Sequence, residues 1–194
     1  QPAEDSLYGW EHYSMPLGNG YMGGNVFGIV ERDRIQITEN ALQNPGGLGG
    51  LNNFAEVYLH FDHKEVENYE RGLCLNDAVA YTRYTVDGVE YQREYFTSYP
   101  ARAGIVRLTA SKEGALSFDV SSQIPFITPF GDKDGFGRRG TVESTGDEIR
   151  VVQEMEFQGI KFAATIKVLS DGKVVPKDGM LQVSDATVAT VLFA

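Results

Sequence analysis

With 194 residues, a formal net charge of −10 and a pI near 4.7, the chain is long enough for one all-β core and lacks the clustered cations that nucleic acid or an anionic membrane requires. Those two partners are excluded, whereas a neutral glycan is untouched by the charge argument. One cysteine, Cys74, forbids an internal disulfide or a cysteine-based metal cage. It reads as a small buried apolar residue, and no apolar run approaches the roughly 20 residues that a bilayer crossing needs.

In chain order, the first strong signal is Pro16-Leu17-Gly18-Asn19-Gly20-Tyr21-Met22-Gly23-Gly24-Asn25-Val26-Phe27-Gly28, followed by Glu31 to Asn40. It reads as a glycine-studded turn feeding two successive strands. The glycines superficially approximate a dinucleotide fingerprint, but they lead into a strand and not into a helix whose amino terminus could face phosphates. Tight turns and close backbone approach account for them. The second strand, over residues 34–38, is expected to end at Thr38-Glu39-Asn40, followed by a loop containing Asn44-Pro45-Gly46-Gly47. No stretch of capped helical periodicity stands out. Residues 64–72 fit a short helical turn or an irregular approach to the next strand.

Asp87-Gly88 sits between two alternating runs, residues 81–86 and 89–95, and suits a type I′ hairpin turn in which both central residues take positive φ. Leu116, Phe118 and Val120 alternate with Ser117, Asp119 and Ser121. Ile149, Val151 and Met155 form one such row, and Ile160, Phe162, Ala164, Ile166 and Val168 another. This period of two marks half-buried antiparallel strands. Gln158-Gly159, Ser170-Asp171-Gly172-Lys173 and Lys177-Asp178-Gly179 supply further turns. The expected fold is therefore all-β, an antiparallel super-β-sandwich forming one domain over residues 1–194. The irregular stretch 124–140, with Phe126, Phe130 and Phe136, reads as a surface loop suited to interaction. Residues 186–194 form an apolar strand with no polar tail, which reads as truncation ahead of further chain, because a flat apolar edge needs covering.

Candidate chemistry is sparse. His60, Asp62 and His63 cluster in sequence, but a strand places 60 and 62 on one face and 63 on the other, so they read as the polar end of a strand and no metal site is expected. Asp132, Asp134 and Gly135 echo the start of a calcium loop without its later ligands. A serine nucleophile elbow is absent. With 27 acidic residues, a pair of carboxylates is by itself no evidence for glycoside hydrolysis, and no residue is assigned a catalytic role. Glu39 and Asn40, beside the Pro-Gly-Gly turn, can offer acceptors and a donor to sugar hydroxyls and are the candidate substrate-binding residues.

The opening run resembles the signature of glycoside hydrolase family 95, the inverting α-L-fucosidases. Further blocks in the same order resemble that family: Phe54 to Phe61, Tyr69 to Ala80, and the hairpin Tyr84-Thr85-Val86-Asp87-Gly88-Val89-Glu90-Tyr91 with Arg93-Glu94-Tyr95-Phe96. Two departures stand out. Leu42-Gln43-Asn44-Pro45-Gly46-Gly47 replaces the family's tryptophan-glycine-glycine loop, and residues 48–53 take the place of a helical insertion. Both suit either a divergent subgroup, with a sugar preference such as α-L-galactose, or a chain missing part of a loop. The resemblance implies an amino-terminal β-sandwich that braces an (α/α)6 catalytic barrel of the same polypeptide, needs no cofactor, and lends a loop at Glu39 and Asn40 to the rim of a glycan site. Together with the mature-looking start Gln1-Pro2-Ala3-Glu4, it implies a secreted or periplasmic protein. A stand-alone carbohydrate-binding or adhesion sandwich, suggested by the phenylalanine loop, is the competing expectation.

Overall fold

The computed structural model describes residues 7–43, 51–125, 138–154 and 160–194. A short helix, α1 (Leu7–Tyr13), precedes strands β1 (Met15–Gly18), β2 (Met22–Val26), β3 (Arg32–Gln43), β4 (Leu51–His60) and β5 (Glu67–Cys74). There follow β6 (Val79–Val86), β7 (Val89–Ser98), β8 (Ala103–Ala110), β9 (Leu116–Gln123) and β10 (Arg139–Thr145). The chain closes with β11 (Glu148–Glu154), β12 (Lys161–Ser170), β13 (Lys173–Lys177), β14 (Met180–Ala186) and β15 (Val188–Phe193).

These strands form two antiparallel sheets, a seven-stranded one in the order β1-β2-β3-β4-β9-β14-β13 and an eight-stranded one in the order β10-β11-β12-β15-β8-β7-β6-β5. The result is the expected sandwich. Its core comes from one parity of each strand: Ile35, Ile37, Val57 and Leu59 from the first sheet meet Leu108, Ile149, Ile166 and Val191 from the second, all buried. Burial of such side chains contributes about 1.5–3 kcal/mol each, which fixes the register because a one-residue slip would turn a whole row to solvent.

The hairpin over Asp87-Gly88 forms as the sequence predicts, with φ of 49° and 74° at its two central residues. Asp178-Gly179 repeats the geometry between β13 and β14, at 51° and 78°. Residues 170–173 instead carry the chain from β12 in one sheet to β13 in the other. Gln158-Gly159, Met155, Asp132, Asp134 and the three phenylalanines of the 124–140 stretch lie outside the described residues.

Four expectations need correction. Helix α1 was not legible: it has seven residues and no acidic residue in its first turn, and tertiary contacts hold it. Residues from Glu67 onward form edge strand β5 and not a helical turn. Cys74 is only partly buried, and its thiol donates to Asp77 Oδ2 at 3.1 Å. The apolar run 188–193 is no open edge, because β15 lies between β12 and β8 and is paired on both sides.

Candidate functional site

The glycine-rich opening is built around the loop between β2 and β3. Asn19 Oδ1 accepts the backbone N–H groups of Tyr21 and Met22, both at 2.9 Å, an Asx turn that closes the β1–β2 hairpin. Beyond β2, Gly28 takes φ 71°, and a Cβ there would lie 2.7 Å from Thr82 Oγ1. Only glycine fits both the conformation and the space.

Asp33 organises this loop from inside the sandwich. Its Oδ1 accepts the N–H groups of Gly28 at 2.8 Å, Ile29 at 3.2 Å and Arg34 at 3.0 Å. Its Oδ2 accepts from Arg93 Nη1 at 3.2 Å and from the Tyr95 hydroxyl. Arg93, on β7 in the opposite sheet, also donates to the carbonyls of Ile29 at 2.8 Å and Val30 at 2.7 Å and to Tyr84 Oη at 2.7 Å, with its guanidinium 4.0 Å from the Phe61 ring centroid. Both charged groups are at most 1% exposed. Burial alone would lower the Arg93 pKa, but Tyr84, Tyr95 and Asp33 outweigh it and hold the guanidinium charged. Burial, reinforced by Asp33, pushes the Tyr95 phenol well up.

Next to this pair, His63 Nδ1 lies 2.9 Å from Tyr84 Oη. Burial first, and the Arg93 charge second, lower its pKa to about 4, so the imidazole is neutral near pH 7 and shares this hydrogen bond with the Tyr84 hydroxyl. His60 turns to the other face of β4 and shares a 2.8 Å hydrogen bond with Ser121 Oγ, while Asp62 is exposed beside Lys64. The three side chains therefore diverge, and they form no metal site.

A second polar cluster occupies the outer face of the seven-stranded sheet. Glu56 accepts hydrogen bonds from Arg34 Nη2, from Gln36 Nε2 at 3.1 Å, from Asn53 Nδ2 at 2.8 Å and from Tyr58 Oη at 2.6 Å. Burial would raise the Glu56 pKa, but the bonds from Tyr58 and Arg34 dominate and hold it below the ordinary carboxylate range. Arg32 lies 4.0 Å over the Tyr58 ring centroid, and Arg138 donates to the Asn53 carbonyl. Asp33 and Glu56 are the buried carboxylates among the described residues. Each has its oxygens occupied, and a carboxylate committed in this way is suited to structure and not to proton transfer.

Glu39 and Asn40 do not sit in a loop after a strand end. Strand β3 runs on to Gln43 and carries both, with Glu39 opposite Met22 and the Asn40 N–H bonded to the Tyr21 carbonyl at 3.0 Å. Glu39 Oε2 accepts from the Ala41 N–H at 2.8 Å, whereas its buried Oε1 has no hydrogen-bond partner. Asn40 is exposed. The pair lies at the end of the seven-stranded sheet, next to the β1–β2 turn.

The inter-sheet pair escaped the sequence reading although a signal was present. Asp33 shares parity with the apolar Ile35 and Ile37, and Arg93 with Tyr91 and Tyr95, so each strand carries one charge of opposite sign in its core-facing row. Glu56 gave no such signal, because it lies on the outward parity of β4, where a glutamate is ordinary.

Residues 41–194 match the family model described as glycosyl hydrolase family 65, N-terminal domain. The α-L-fucosidase 2 of Arabidopsis thaliana is 30% identical over 150 residues, covering 56% of this chain and 18% of the relative. A solved structure titled "Putative kojibiose phosphorylase from human microbiome" superposes over 92% of this chain and 29% of its own, with a TM-score of 0.53 and 10% identity, a likeness of fold alone. This chain thus spans less than a third of either protein. The resemblance to family 95 read from the sequence reduces to a glycoside hydrolase amino-terminal domain with similarity to a fucosidase. The match covers most of the chain, and the chain belongs to the family of glycosyl hydrolase family 65 amino-terminal domains.

Proposed function

We propose that this chain serves as the non-catalytic amino-terminal β-sandwich of a glycosidase acting on α-L-fucosides or α-L-galactosides. The observation that carries the reading is the 30% identity to an α-L-fucosidase 2, of which this chain covers only 18%. In this role the sandwich braces an (α/α)6 catalytic domain of the same polypeptide and brings Glu39 and Asn40 to the rim of its sugar site. The exposed side chain of Asn40 supports that placement, since its amide offers both a donor and an acceptor to sugar hydroxyls.

Inverting hydrolysis requires an acid and a base about 6.5–9.5 Å apart across a sugar, and both buried carboxylates here are already engaged. The 194-residue chain is therefore inactive on aryl α-L-fucoside and α-L-galactoside, while the polypeptide encoded by the complete gene turns one of them over. In that longer protein, Glu39→Gln lowers kcat/KM by about tenfold, or 1.4 kcal/mol, with the melting temperature unchanged. Turnover by the isolated chain that is lost on mutating one of its own carboxylates would overturn the reading. A fall in melting temperature with intact kinetics would make Glu39 a structural residue.

A further inference from the structure

Two open recesses flank edge strand β5, and both are walled by Glu70. The larger, about 500 Å³, lies outside the sheet edge and is lined by Tyr13, Tyr69, Glu70 and Arg71. The other, about 390 Å³, spreads over the outer surface of β6, β7 and β8. Their volumes fall in the range of small-ligand sites.

Strand pairing gives the second recess a regular floor. Glu70 is opposite Arg83, Arg83 opposite Gln92, and Gln92 opposite Thr109. Four polar side chains thus form one row across four strands, about 14 Å long at ordinary strand spacing, the scale of a short oligosaccharide. Asn68 and Thr85 border this row. Beside it, the Tyr81 ring lies over Gly72, where a Cβ would come within 2.7 Å of the tyrosine hydroxyl. The ring is pinned by a 2.8 Å hydrogen bond from that hydroxyl to Glu70 Oε1 and by the Arg83 guanidinium, 4.7 Å from its centroid.

We infer that the outer face of β5 to β8 along the row from Glu70 to Thr109 is a binding site for a neutral oligosaccharide. Fixed rings suit the apolar faces of sugars, and Asn68, Glu70, Arg83 and Gln92 supply donors and acceptors for hydroxyls. The lining sets two carboxylates, Glu70 and Glu90, against one cation, Arg83, which favours an uncharged ligand over an anionic one. Addition of a peptide strand to the β5 edge is disfavoured. A register break between Glu67 and Glu70 and positive φ at Glu65 and Asn68 interrupt the backbone row that an added strand would need. Because Glu39 and Asn40 belong to the other sheet, this site stands whether or not a longer protein hydrolyses fucosides.

The test is an amide NMR titration of the 194-residue chain with 2′-fucosyllactose and with cellotriose, using a sulfated disaccharide as the charged control. At least one neutral sugar gives saturable shifts centred on residues 68–72, 81–85 and 90–92, and Arg83→Ala and Gln92→Ala each weaken binding about tenfold. Lys173→Ala, on the other sheet, leaves it unchanged. Four outcomes would overturn the inference: no saturable shift up to about 20 mM sugar, shifts centred on Glu39 and Asn40, tighter binding of the sulfated sugar, or affinity insensitive to both substitutions in variants whose amide spectra remain native.

Discussion

Replacing Asp33 by Asn removes the charge facing Arg93 while keeping volume and the Oδ1 acceptor used by Gly28 and Ile29. Arg93 is at most 1% exposed, so its guanidinium cannot recruit water in exchange. It keeps the carbonyls of Ile29 and Val30 and the Tyr84 hydroxyl, all neutral, while an amide N–H₂ now faces donors on Arg93 and Tyr95. Breaking a buried ion pair from one side costs about 3–5 kcal/mol, a large share of the roughly 5–15 kcal/mol that stabilises a typical domain. The measurement is urea unfolding of the 194-residue chain followed by far-ultraviolet circular dichroism. The one tryptophan, Trp10, lies exposed on α1 and reports poorly on the core. The cycle with Arg93→Met should show a coupling above about 1.5 kcal/mol, since the second substitution removes the charge that the first left stranded. A loss below about 1 kcal/mol for Asp33→Asn, or additive single effects, would refute the view that this pair joins the sheets.

Two further perturbations test the same region. Gly28→Ala and Gly88→Ala both place a side chain at positive φ, 71° and 74°, but only the first meets neighbours, with Thr82 Oγ1 at 2.7 Å and Arg71 Cδ at 3.2 Å. Gly88→Ala should cost about 1 kcal/mol and Gly28→Ala about 2–4 kcal/mol, and equal midpoint shifts in urea would contradict the packing argument. His63 is neutral when folded, with a pKa near 4 against an ordinary 6.5, so the unfolded chain binds the extra proton between those values. Its contribution is complete above about pH 6.5, falls as the pH drops toward 4, and is spent below that. After allowance for partial exposure the loss is about 1–2 kcal/mol. His63→Gln, which can still share a hydrogen bond with Tyr84, should flatten that part of the stability profile, and an unchanged slope would exclude His63 as its source.

Local features were legible where one strand or turn decides the outcome, and they failed where a distant partner does. Leu116, Phe118 and Val120 are buried as their alternation requires, and both Asp-Gly turns take positive φ. By contrast, β3 continues through Glu39 and Asn40 because Met22 pairs with Glu39 and the Tyr21 carbonyl accepts the Asn40 N–H, a circumstance that no window around Glu39 contains. The last carbonyl of helix α1, that of Tyr13, accepts from Arg71, 58 residues away. The sheet order is equally remote, with Leu59 paired to Val120 and Val191 to both Val106 and Val168.

The motif that resembles a glycosidase signature has a structural explanation that alters what such a match conveys. Its Phe27-Gly28 step, with the next two residues, is where groups from both sheets converge. Asp33 takes the N–H groups of Gly28 and Ile29, Tyr69 donates to the Gly28 carbonyl at 2.8 Å, Arg71 to that of Phe27 at 3.0 Å, and Arg93 to those of Ile29 and Val30. Peptide groups in such a loop have no ladder partners, and leaving them buried and unbonded would cost about 1–3 kcal/mol each. The side chains that satisfy them come from β3, which belongs to the opening run itself, and from β5 and β7, which carry two of the later matching blocks. Their joint occurrence follows from the need to hold one loop between two sheets. It specifies the sandwich, and so the fold family.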